Sequence, residues 1–291
     1  MNRRGTDSEY KRLKAVLLHK GGPEIERVLS PGEVLYSGKI SYPALAEEFG
    51  SLEKVFTSLG VKVFHIDASR IDGTDPRSFY NLMYARDLFW ASSGECLISR
   101  MRHEVRRDEV KYAARTLSAL GMSIRETYPD GAHFEGADIL WLSPREVMVG
   151  VGGRTNDLGF EAITRSLSAK GIGTIRVPAP GASLHLLGSV QIASGDLVFV
   201  RRGIGSGIME ALERNGMRVV TVPETDEVSK RFAMSVVTVA PREVIMPRGN
   251  PGMKDVFLSS GVTVVREIET RELIKGGGGL GCAVGILERV V

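Results

Sequence analysis

A unit of about 50 residues recurs along this chain of 291 residues, and that recurrence limits the possible folds more than any single motif. Two copies are plain: Asp138 to Val149 and Ser235 to Met246. Each is a β-rich run, a polar turn (Ser143-Pro144-Arg145-Glu146; Ala240-Pro241-Arg242-Glu243) and a second β-rich run. Leu88 to Ile98 and Val190 to Val200 fit the same frame, turning at Ser92-Ser93-Gly94-Glu95 and Ala193-Ser194-Gly195-Asp196. Behind each hairpin runs a helical pattern that stops at a glycine, followed by a short strand. The stopping glycines are Gly60, Gly121, Gly171, Gly216 and Gly261, at spacings of 61, 50, 45 and 45 residues.

The repeat predicts strand–turn–strand–helix–strand five times, with one unit split between the chain ends. The split unit takes its helix and last strand from Ser51 to Ile66, and its hairpin from Cys282–Leu287 paired with Ala15–His19. Such pairing closes a ring and removes exposed sheet edges. The expected fold is therefore α/β: a five-bladed α/β propeller of pseudo-fivefold ββαβ repeats, forming one domain over residues 1–291. Residues 1–14 are expected to be a flexible start. Residues 21–43, rich in Gly and Pro and without periodicity, are expected to form a lid over the central channel.

In register, one position lies just before the first strand of each hairpin. It holds Asp87, Glu135, His185, the Phe232-Ala233-Met234 stretch and Cys282; Glu135 follows Asp87 by 48 residues, and His185 follows Glu135 by 50. Pseudo-fivefold symmetry brings equivalent positions to the axis. A thiol nucleophile, an imidazole and two carboxylates at one mouth suit a planar cation with an electrophilic carbon, such as a guanidinium. The run Gly276-Gly277-Gly278-Gly279-Leu280-Gly281 leaves space for a flat substrate beside Cys282.

On these residues the chain resembles the guanidino-group-modifying superfamily of arginine deiminases, agmatine deiminases, dimethylarginine dimethylaminohydrolases and amidinotransferases, which have the pentein propeller fold. The matching pieces are Asn81-Leu-Met-Tyr-Ala-Arg-Asp87, Glu135-Gly-Ala-Asp138, Gly150-Val-Gly-Gly-Arg-Thr-Asn156, His185-Leu-Leu-Gly-Ser189 and Gly276 to Cys282, in the family's order. The resemblance implies Cys282 as nucleophile, His185 as general acid and then base, and Asp87 and Glu135 as guanidinium ligands. It further implies Arg154 as a clamp for an α-carboxylate, Arg86 as a substrate-binding neighbour, and Asp138 as a residue that orients others. The implied activity is hydrolysis of arginine or an Nω-substituted (methyl) arginine to a ureido product, citrulline, plus ammonia or an amine through a thiouronium intermediate. Where deiminases and amidinotransferases usually have His-x-Asp, this chain has Leu187; loss of that Asp resembles the dimethylarginine hydrolases, whereas Tyr84-Ala-Arg-Asp87 is closer to the deiminases.

Other classes are disfavoured by particular residues. Thirty-eight basic and 35 acidic side chains, interspersed, give a net charge of +3 and no broad basic surface for nucleic acid. Two cysteines make no disulfide framework, Met1 to Lys14 has no apolar signal core, and no apolar run is long enough to cross a bilayer. A cytoplasmic protein acting on a small guanidino substrate is expected, with no membrane partner and with room for a homodimer. The five histidines show no ligand spacing with the cysteines, so neither a metal nor any other cofactor is expected. Gly203-Ile-Gly205-Ser-Gly207 follows a β-rich run, but Ile208 stands where a dinucleotide fingerprint needs its third glycine. The run Arg100 to Arg107 reads as a solvated helix start, and Cys96 as a buried, inert thiol. Transfer of the amidino group to an amine is the alternative within the enzyme class. A non-catalytic propeller scaffold is the alternative outside it.

Overall fold

Hairpin strands of this protein are apolar at consecutive positions, as in Ile139-Leu140-Trp141-Leu142, so both faces of the hairpins must be covered. The computed structural model, which describes residues 5–125, 128–181 and 183–290, shows how. Among these residues lie five three-stranded sheets. One combines β1 (Leu13–Leu18) and β2 (Lys62–His65) with the last strand. The others are β3 (Phe89–Ser92), β4 (Glu95–Ile98) and β5 (Ser123–Arg125); β6 (Ile139–Ser143), β7 (Glu146–Val151) and β8 (Gly173–Pro178); β9 (Val190–Ser194), β10 (Leu197–Arg201) and β11 (Arg218–Val222); and β12 (Val237–Ala240), β13 (Glu243–Pro247) and β14 (Thr263–Ile268). The last strand, β15 (Gly285–Arg289), pairs antiparallel with β1.

Each sheet is an antiparallel hairpin whose middle strand also pairs parallel with a third strand, reached through a helix. The crossover helices are Tyr42–Ser58, Glu109–Ala119, Asp157–Ser168, Ser206–Arg214 and Pro251–Ser259. Their amphipathic patterns end at glycines with left-handed φ between +69° and +81°, at Gly60, Gly121, Gly171, Gly216 and Gly261, where a side chain would be strained.

Five apolar clusters lie between successive sheets. Leu17 and Leu287 pack on Phe89 and Ile98; Trp90 and Leu97 on Ile139 and Trp141; Leu140 and Met148 on Val190 and Val198. Leu197 and Phe199 then meet Val244 and Met246, and Val237 and Ile245 meet Leu13 and Val16. The last contact returns to the first sheet, so the ring is closed and the pentein propeller is the observed fold.

Three details differ from the sequence reading. The first crossover helix starts at Tyr42, nine residues before the expected Ser51, with Pro43 in its first turn. Residues 21–43 are not structureless: they form two short 3-10 helices, Pro23–Arg27 and Pro31–Val34. Ile25, Val34, Tyr36 and Ile40 there pack with Met83, Tyr84 and Leu273. The start of the chain, read as flexible, packs inward from Thr6, because Glu9 is drawn into a buried ion pair; residues 1–4 lie outside the described residues.

The closing strand makes a testable demand. Leu287 is fully buried between the first and second sheets, so Leu287→Ala should cost about 2–5 kcal/mol in urea denaturation. Leu29→Ala, at a site 87% exposed, should change stability by less than about 0.5 kcal/mol.

Candidate active site

Every sheet delivers its hairpin to the axis through a short segment, and those segments carry the polar residues. Asp87 sits in the one-turn helix Ala85–Leu88 before β3; Glu135 and His185 are the N-caps of 3-10 turns before β6 and β9; Cys282 lies in the turn Leu280–Ala283 before β15. The remaining segment, before β12, brings Met234 and Ser235. A cavity of about 320 Å³ opens there, walled by Asp87, Arg106, Arg154, His185 and Cys282 among others.

The polar wall is tightly paired. His185 Nε2 donates to Glu135 at 2.6 Å, while His185 Nδ1 lies 3.7 Å from Asp87 Oδ1. Arg106 donates to Asp87 Oδ2 at 2.7 Å and to Glu109 at 2.9 Å, and its Nη1 lies 3.9 Å from Glu135. Arg154 Nη1 reaches Glu135 at 3.4 Å. Asp138 accepts from the Thr155 hydroxyl at 2.7 Å and from the Leu186 N–H at 3.0 Å, so it braces the backbone next to His185. Two acceptors are left over: Asp87 Oδ1 and Glu109 Oε1 are buried and have no hydrogen-bond partner among the described residues, and of these two residues it is Asp87 that lines the cavity.

These charges set the protonation states. Burial alone would lower the His185 pKa, but Asp87 and then Glu135 outweigh it and hold the imidazole well above its ordinary value. Glu135 is held down in turn: its burial is overcome by His185, Arg106 and Arg154. Burial first and the Asp87 charge second push the Cys282 thiol up to about 11, so in the unliganded protein it is protonated at neutral pH. Burial also pushes Glu109 up to about 8, against the opposing pull of Arg106. The donor atoms of Asp87, Glu135 and His185 converge within 4.8 Å, a spacing a metal ion could bridge. Arg106 already supplies a cation to two of the three, which leaves less charge for a metal to neutralise.

Cys282, His185, Asp87 and Arg154 thus share one cavity. Glu135 does not line it: it is completely buried behind His185, and its hydrogen bond holds the ring. Arg86 does not line it either. Its Nη2 donates to both Glu9 oxygens, at 3.0 and 2.9 Å, beside a second, smaller cavity. Leu187 likewise faces away, into the channel behind the site. Gly276, Gly277 and Gly278 line the cavity beside Cys282, as expected, and the glycine run has a second reason as well. A Cβ at Gly276 or Gly278 would lie 2.2 and 2.4 Å from the Tyr84 ring system, and one at Gly279 would lie 2.5 Å from Ser235. Tyr84 is anchored in that gap by donating to the Leu273 carbonyl and accepting from Gly278 N–H.

Arg106, Glu109, Tyr84 and Ser235 were not singled out from the sequence as site residues. Ser235 Oγ lies 4.0 Å from Cys282 Sγ. The run Arg100 to Arg107 is solvated only in part: Arg107 and Glu104 are exposed, whereas Arg106 is 4% exposed. The i, i+3 spacing of Arg106 and Glu109 was the available signal. Arg106→Leu leaves Asp87 and Glu109 buried without their cation and should cost about 3–5 kcal/mol. Adding Glu109→Leu should recover part of that loss, and the double-mutant cycle in urea measures the coupling.

The sequence model of the arginine deiminase family matches residues 72–209. Among solved structures, the dimethylarginine dimethylaminohydrolase of Pseudomonas aeruginosa in complex with citrulline is 18% identical. It covers 96% of this chain and 100% of its own, with a TM-score of 0.74. The substrate-bound N-terminal domain of an arginine dihydrolase from the cyanobacterial ornithine–ammonia cycle is 16% identical, covering 95% and 99%, with a TM-score of 0.79. The inosamine-phosphate amidinotransferase of Streptomyces griseus is 16% identical, covering 100% and 98%, with a TM-score of 0.76. The family-model match bears out the resemblance over residues 72–209, and the solved structures bear out the propeller fold.

Proposed function

For a chain with the pentein propeller of the guanidino-group-modifying superfamily and this cavity, we propose cysteine-dependent hydrolysis of the guanidino group of arginine or an Nω-substituted arginine. The observation that carries the reading is the unpaired Asp87 Oδ1 on a wall shared with His185 and Cys282. A buried acceptor without a donor suits a ligand that brings N–H groups and positive charge.

The chemistry follows from the charges. Asp87 helps hold the thiol protonated; a guanidinium bound to Asp87 cancels that field and favours the thiolate. The sulfur then bonds to the guanidinium carbon as one C–N bond breaks. The thiol proton is lost to solvent, and the His185 imidazolium gives its own proton to the departing ammonia or amine, which leaves the ring neutral. In the second half His185 takes a proton from water, the new oxygen bonds to the carbon, and the C–S bond breaks to return the thiol and leave a ureido product. Glu135 keeps His185 oriented through both halves.

Two features favour an arginine-like substrate. Arg154 stands on the wall as a clamp for a carboxylate. Among the described residues Asp87 is the one carboxylate lining the cavity, and Leu35, Leu184, Val228, Phe232 and Met234 supply apolar surface. That surface accommodates an N-alkyl group better than a further N–H.

The test is to incubate the protein separately with arginine, Nω-methylarginine, dimethylarginine and agmatine, assaying ureido product and released ammonia or methylamine. Ureido product from an arginine or methylarginine, abolished in Cys282→Ser, is expected. Product formed equally well by Cys282→Ser would refute the assignment. Amidino transfer to an added amine, without ureido product, would favour the transferase reading.

A further inference from the structure

The ring channel continues behind the active site, and its far end is built around charge. A cavity of about 30 Å³ lies on the axis, walled by residues of all five sheets or the segments leading into them: Arg86, Leu140, Gln191, Thr238 and Arg289 among others, with Glu9 closing it. Two guanidinium groups face one carboxylate there. Glu9 is fully used, accepting from Arg86 at both oxygens and from the Trp141 backbone N–H at 3.2 Å. Arg289 does not pair with Glu9. Its Nη1 donates to the carbonyls of Lys11 and Thr238, at 2.7 and 2.9 Å.

Donors exceed acceptors around this point. Arg86 and Arg289 are 6% and 3% exposed, and the Nε of each is buried without a hydrogen-bond partner among the described residues. The indole N–H groups of Trp90 and Trp141, beside an adjoining void that shares Glu9 and Arg86, are unpaired as well. On the wall, Gln191 and Thr238 each spend a donor on a backbone carbonyl, Leu187 and Ile192, and add no charge. Burial, with Arg86 adding to it, pulls the Arg289 pKa down to about 10, against the attraction of Glu9. A buried cation with an idle N–H donor is costly unless something negative sits beside it.

We propose that this cavity is a binding site for one small inorganic anion of chloride size, held between the Arg86 and Arg289 guanidinium groups. The volume suits a single small ion and not a carboxylate or phosphate. Position gives the site a consequence. Arg289 lies on the strand that closes the ring, Arg86 precedes Asp87, and Gly281 on the same wall precedes Cys282. An anion there ties the chain's end and start to the segment that carries Asp87.

The site is tested on the full-length protein purified in gluconate. Thermal unfolding is followed as chloride replaces gluconate at constant ionic strength, and crystals soaked in bromide are examined for anomalous scattering. The expected results are a saturable rise in Tm of a few degrees and an anomalous peak between Arg86 and Arg289. Glu9→Gln, which removes the competing charge and keeps an acceptor, should lower the chloride concentration at half-effect. A response that rises without saturation is a general salt effect and overturns the proposal. So does a site without an anomalous peak, which is then filled by water, or a half-effect concentration raised by Glu9→Gln.

Discussion

Closure of the ring is the constraint on which the rest depends. Four sheets are local products of continuous sequence, each formed by a hairpin, a helix and a returning strand. The fifth exists only if β15 reaches β1, across almost the whole chain. That pairing supplies the partner for Leu17 and Leu287 against Phe89. It also fixes the segment before β15, so Cys282 arrives at the axis on the same side as Asp87 and His185. The strand that completes the core is therefore the strand that completes the site. Its cost is the entropy of joining distant ends, offset by two apolar interfaces and the absence of a free sheet edge.

At the mouth, the charges are organised around Arg106 as much as around the thiol. A buried guanidinium neutralises one oxygen of Asp87 and shares Glu109, leaving the other Asp87 oxygen unpaired. Without that cation, Asp87, Glu109 and Glu135 would repel one another in a site with little water, and protonation would remove the negative field. With it, the field survives but is narrow, directed at the space between His185 and Cys282. In the proposed reaction, a thiol pushed up to about 11 stays protonated until a cation enters that space, so nucleophile activation would be coupled to occupancy.

The repeat was readable because it rests on local physics: consecutive apolar residues for strands covered on both faces, and glycines where helices end with positive φ. Equivalent positions in the repeat then located Asp87, Glu135, His185 and Cys282 without knowledge of their contacts. What the repeat could not convey is side-chain direction. Arg86 and Asp87 are consecutive on a one-turn helix, so they point about 100° apart, and one faces the cavity while the other faces Glu9. Arg106 lies in a run of arginines whose composition says solvent; its burial is decided by Glu109 one turn on and Asp87 19 residues back. Glu9 sits in a polar start that looks free, and only the ion pair with Arg86 explains why it is buried. The glycines before Cys282 were legible as a close approach, but Tyr84, the group approached, was not.

The central claim is that Cys282 bonds covalently to a guanidinium carbon. The most direct measurement is acid quench during turnover of methylarginine or arginine, followed by mass spectrometry of the intact protein and of its peptides. The account predicts a transient mass increase equal to the thiouronium group, located on the Cys282 peptide and absent from Cys282→Ser. Turnover with no adduct on Cys282 at any quench time, or an adduct on Cys96 instead, would contradict it.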